Sequence, residues 1–129
     1  MSVKALPDDV ARFLSDHIDS VEQLEVLLLL HRAGRSAWTP EMVAAALYTQ
    51  PASAARRLAS LCDHGLLEQE GEPPAYRYVA KNPERGELIS TVADTYRERR
   101  VAVVTAIATN PMENVRAFSD AFRLRRKES

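Results

Sequence analysis

The sequence predicts a mainly α-helical fold with one small β-wing: a winged helix-turn-helix followed by a C-terminal helical extension. Three observations lead there. Ala and Leu are abundant while glycine is held to four residues in 129, a balance that favours helices. Residues 36–79 run as helix, tight turn, helix and short hairpin, the order of a helix-turn-helix with a wing. Helix-start chemistry also recurs on both sides of that stretch, at Pro7-Asp8-Asp9, Ser20-Val21-Glu22-Gln23, Asn82-Pro83-Glu84 and Asn110-Pro111-Met112-Glu113. Proline suits the first turn, acids suit the positive helix end, and Ser or Asn three residues before Gln or Glu is a capping box. At 129 residues the chain fits a single compact unit. Within it, residues 1–80 form the winged helix-turn-helix with its N-terminal helix, and residues 81–129 a helical dimerisation extension.

A short helix is expected over 7–15. The next opens at Ser20 and runs to about Arg32, with Gly34 as its stop. Leu24, Leu27, Leu28 and His31 share a face that Val21, Val26 and Leu30 widen, so this helix is expected to be largely buried. Ala37-Trp38 reads as a very short strand. Thr39 caps a helix carried by residues 40–47, and Thr49-Gln50-Pro51 breaks and restarts the chain. In the helix over 52–64, Ala54, Leu58 and Leu61 face the core, which turns Ser53, Arg56, Arg57 and Ser60 largely away. The hairpin spans 66–79, with its tip at 72–75. Residues 82–108 read as one long helix, and a last helix follows from Asn110.

Composition excludes several classes. No apolar run approaches the roughly 18 residues that span a bilayer, and the start lacks a secretory pattern. A cytoplasmic, non-membrane protein is expected. The one cysteine, Cys62, forms no internal disulfide and reads as a small buried hydrophobe rather than a redox switch. His17, His31 and His64 are far apart in sequence with no second ligand at metal spacing, so no metal and no cofactor are expected. Neither a phosphate-binding glycine loop nor a nucleophile or metalloprotease motif is present, and no enzyme is indicated.

Net charge is −1 and the pI about 6.3, less basic than a typical nucleic-acid-binding domain. The charge is uneven. Residues 1–30 are acidic and residues 97–127 basic, which reads either as docking of the two within or between subunits or as two solvated helix faces.

Arg56 and Arg57 are the leading candidates for contact with double-stranded DNA, since arginine reads guanine or clamps phosphate through paired hydrogen bonds. Ser53 and Ser60 are small enough to admit the helix to a groove and can bond phosphate. Arg77 is the wing's candidate, although Glu68, Glu70 and Glu72 lie close to it in sequence. A homodimer is expected through an apolar stripe of Ile89, Val92, Tyr96, Val103 and Ile107, joined by Phe118 and Phe122 of the last helix.

Residues 39–44, the helix Pro51-Ala52-Ser53-Ala54-Ala55-Arg56-Arg57-Leu58-Ala59-Ser60-Leu61 and the lead-in Gly65-Leu66-Leu67-Glu68 together resemble bacterial winged helix-turn-helix transcriptional regulators, broadly of the multiple-antibiotic-resistance-regulator (MarR) type. The resemblance covers about residues 20–80. It implies a homodimeric regulator that binds operator DNA through recognition helix 52–64 and wing 66–79, with Ser53, Arg56, Arg57 and Ser60 on the DNA face. The acidic wing departs from that pattern. It keeps a second reading open: a winged-helix adaptor for a protein partner, without DNA binding of its own.

Overall fold

The computed structural model describes residues 6–109. Eight elements follow in order: α1 (Asp8–His17), α2 (Val21–Ala33), α3 (Pro40–Leu47), α4 (Pro51–Asp63), β1 (Leu67–Glu70), β2 (Ala75–Tyr78), α5 (Pro83–Glu98) and α6 (Arg100–Ala108). The expected last helix, with Phe118 and Phe122, lies outside the described residues.

Helix starts follow the local chemistry. The Ser20 hydroxyl accepts the Gln23 N–H at 3.1 Å, Thr39 accepts that of Met42 at 3.2 Å, and the Asn82 side chain accepts that of Arg85 at 2.8 Å. Each satisfies one orphan donor of a first turn. Helix α2 ends at Gly34 with φ 75°, and the turn after α4 passes Gly65 with φ 76°. Both lie in the left-handed region where a side chain is costly.

Helix α2 is the centre of the molecule. Leu24, Val26, Leu27, Leu28, Leu29 and Leu30 are all buried, because α3, α4, β2 and α5 all pack on this helix. From α4, Ala54, Leu58 and Leu61 enter the same cluster. Strands β1 and β2 pair antiparallel, Leu67 opposite Tyr78 and Glu68 opposite Arg77. The expected short strand at Ala37-Trp38 is a single bridge: Trp38 and Tyr76 exchange backbone hydrogen bonds of 2.7 and 2.8 Å.

Two expectations about residues 82–108 are corrected. The segment is not one helix, since Arg99 leaves helical geometry (φ −132°, ψ 53°) and separates α5 from α6. The bend brings Arg100 back to α2, where it meets Glu25 at 3.1 Å and lies 4.6 Å from the Tyr96 ring centre. This pair also joins the acidic start of the chain to its basic end. The second correction concerns the stripe assigned to dimerisation. Ile89, Val92, Tyr96, Val103 and Ile107 are buried within the chain, where α1 packs on α5 and α6, and α2 on α5. A side chain already covered by its own subunit offers no surface to a second one.

Candidate nucleic-acid interface

Helix α4 sits on α2 and α3, and its polar residues divide into two faces. Thr49, Ser53 and Arg57 recur every four positions and turn sideways onto α2. There the Glu22 carboxylate accepts hydrogen bonds from the Thr49 hydroxyl (2.6 Å), the Ser53 hydroxyl and the Arg57 Nε–H (2.8 Å). The Ser53 and Thr49 hydroxyls, then Arg57, hold the Glu22 carboxyl down to about 2 against the opposing effect of burial. One turn further along α4, the Ser60 hydroxyl accepts from the side-chain amide of buried Gln23 at 3.0 Å. Glu22 and Gln23 therefore tie the N-terminal turn of α2 to the turn before α4 and to its first, second and third turns.

Of the four residues expected to face away from the core, Arg56 alone is exposed; Ser53, Arg57 and Ser60 are half-buried. The outward face of α4 is Ala52, Arg56, Ala59 and Asp63, one cation among small side chains and one carboxylate. At the turn before α4, Tyr48 is 96% exposed and adopts left-handed backbone geometry (φ 57°, ψ 46°). In the wing, Arg77 donates to Glu68 at 2.9 Å and lies 3.9 Å from Glu70. The wing's cation is thus largely neutralised by its own strand pair.

Sequence reasoning missed Glu22, whose only signal was an acid in the first turn of a helix. His17 and His64, 47 residues apart in sequence, meet with their Nδ1 atoms 3.0 Å apart, a contact that no sequence spacing announced. His31 instead stands edge-on to Tyr78, ring centres 4.9 Å apart, and burial lowers its pKa. Cys62 is half-buried, and burial, Asp63 and Glu68 push its thiol up, the reverse of what a reactive thiolate needs. No group of three or more metal-ligating side chains occurs among the described residues. A cleft of about 690 Å³ is lined by α2, the end of α3 and α5, with Leu28, Leu29, Leu47 and Tyr96 beside Arg32 and Arg97. No helix among the described residues is long and apolar enough to cross a membrane.

The sequence matches no protein-family profile and no curated protein. Among solved structures, RV1404 from Mycobacterium tuberculosis superposes with a TM-score of 0.52 at 17% identity, over 93% of this chain and 82% of that one. A MarR family protein from Bacillus stearothermophilus superposes with a TM-score of 0.47 at 15% identity, over 94% of this chain and 82% of that one. At such identities the likeness is one of fold. Taken with the element order and the paired wing, the chain has a winged-helix fold flanked by helices.

Proposed function

We propose that this chain is a DNA-binding regulator of transcription that acts as a homodimer and performs no catalytic step. The observation that supports this reading most is the outward face of α4. Small Ala52 and Ala59 flank Arg56, so the helix backbone can approach a major groove with one arginine directed at it. Arg56 takes the base or phosphate contact. Ser53, Arg57 and Ser60 act behind it, bonding Glu22 and Gln23 and so fixing the angle at which α4 is presented. Arg77 contributes little while Glu68 holds it.

The second protomer is placed on the outer face of α6. Residues 101–109 carry no charge, Val101 is 79% exposed, and Thr105 and Ala108 are exposed beside it. An uncharged face of this kind suits a helix-to-helix contact. Phe118 and Phe122 remain candidates to extend it. A dimer would double the small number of cations offered to DNA and match two half-sites about one helical turn apart.

The test is selection from randomised duplex DNA at two salt concentrations, with the mass of the free protein measured by sedimentation. Enrichment of a roughly palindromic sequence by a dimer supports the proposal. A second reading, an adaptor for a protein partner, is favoured by the neutralised wing and by the single outward cation on α4. Absence of duplex binding at low salt would put that reading first.

A further inference from the structure

His17 is the last residue of α1 and His64 caps the C-terminal end of α4. Their rings meet edge to face with centres 5.1 Å apart, and their Nδ1 atoms are at hydrogen-bond distance, 3.0 Å. The contact joins α1 to the end of the helix proposed to enter DNA. Such a bond needs one ring to donate its Nδ1–H and the other to accept with a bare Nδ1. Two neutral rings meet that condition, and one added proton still leaves a donor and an acceptor. A second proton leaves N–H facing N–H between two positive rings, and the bond is lost.

The surroundings oppose charging. Phe13, one turn earlier on α1, packs against His17 with ring centres 5.0 Å apart. Arg85 of α5 lies 5.9 Å from the Phe13 ring centre. Lys81, in the segment before α5, places its Nζ 3.2 Å from where a side chain on Gly65 would begin, next to His64. Asp16 on α1 is the carboxylate that acts in the opposite sense.

We propose that His17 and His64 form a proton-controlled latch between α1 and the C-terminal end of α4, closed while the pair retains a bare Nδ1 and opened by acid. Burial, then the charges of His64 and Arg85, lower the pKa of His17, with Lys81 adding and Asp16 opposing. A base that resists protonation only in the folded state stabilises the fold fully above its unfolded value near 6.5, and that stabilisation is lost as pH falls below it. A transition metal would also accept two imidazoles at this spacing. Two neighbouring cations and the lack of a third ligand among the described residues make the proton the better occupant. Opening the latch frees the end of α4 and the Gly65 turn from α1. If α4 binds DNA as proposed above, affinity falls on acidification.

The experiment is an NMR titration of the histidine ring protons in EDTA for wild type and His64→Gln, with thermal melts of wild type and His17→Gln from pH 7.5 to 5. The latch predicts that His17 titrates at a higher pH in His64→Gln than in wild type. It also predicts that the fall in melting midpoint on acidification is smaller in His17→Gln. A His17 titration unmoved by His64→Gln, a His17→Gln profile parallel to wild type, or a pH response seen only without EDTA would overturn it. DNA binding measured at pH 7.5 and 5.5 keeps the two readings separate. A wild type that binds no DNA at either pH overturns the DNA reading, and the titration still decides the latch.

Discussion

Replacing Glu22 by Gln tests the tie between α2 and α4. The native carboxylate accepts from Thr49, Ser53 and Arg57 at once. Glutamine keeps the shape but has one acceptor oxygen, and its amide turns a donor toward the hydroxyls or toward Arg57. A carboxyl moved from 4.5 to about 2 on folding corresponds by linkage to about 3 kcal/mol at neutral pH as an upper bound. The Glu22 and Arg57 side chains are 25% and 31% exposed, so solvent screening reduces the expected loss to about 1–2 kcal/mol. For a domain of this size that lowers the melting midpoint by roughly 4–8 °C. The sign with pH is fixed. A carboxyl whose pKa is lowered by folding stabilises the fold above its unfolded value of about 4.5, and this is lost as pH falls toward 2. Melting curves of wild type and Glu22→Gln, followed by circular dichroism, are therefore well separated at pH 7, less than about half as far apart at pH 3, and converge only as the pH falls below about 2. A separation that persists unchanged at pH 3, or none at pH 7, refutes the account of Glu22. A double-mutant cycle with Arg57→Ala assigns the share carried by that pair.

Other substitutions read other parts of the fold. Tyr48→Gly removes the side chain that is strained at φ 57° and is expected to raise stability by up to about 1 kcal/mol; a lower melting midpoint contradicts this. Ile89→Ala leaves a cavity in the subunit core and costs about 2–5 kcal/mol, so it destabilises the fold itself, and a variant of wild-type stability found only as monomer would restore Ile89 to a dimer interface. Val101→Glu is expected to keep the helical spectrum while sedimentation shows a monomer, and a dimer of unchanged affinity would move the interface off α6. Tyr96→Phe removes the hydroxyl that donates to Glu25 at 2.7 Å. Burial, then the Glu25 hydrogen bond, pushes this phenol up to about 12, so the slowest-ionising tyrosine in an alkaline absorbance titration disappears in the variant.

The fold was readable because its signals are local. Ser20, Thr39 and Asn82 each announce a helix start, Gly34 and Gly65 mark turns with positive φ, and alternating Tyr76 and Tyr78 mark a strand. What failed was partner choice, which no local pattern encodes. The apolar spacing of Ala54, Leu58 and Leu61 identified Ser53, Arg56, Arg57 and Ser60 as the polar side of α4 but not which of them met DNA and which met α2. The partner on α2, Glu22, lies 35 residues before Arg57. The stripe from Ile89 to Ile107 was likewise a true apolar face. An unbroken helix would have carried it past the domain, whereas the bend at Arg99 folds its second half back beside α1. No Gly or Pro marks that bend. The return of Arg100 to Glu25 and Tyr96 is the long-range contact that accompanies it. His17 and His64 meet for the same reason: the ends of α1 and α4 come together only in the packed chain.

The most direct measurement is the salt dependence of binding to a selected duplex for wild type and Arg56→Ala. With one outward arginine per protomer, a dimer loses two contacts of about 1–3 kcal/mol each and is expected to lose about 30-fold or more in affinity on this substitution. If both arginines hold phosphates, the slope of log affinity against log salt also becomes shallower by about 2. A variant that binds as tightly as wild type, with the same slope, would contradict the placement of α4 at the DNA and return its outward face to some other partner.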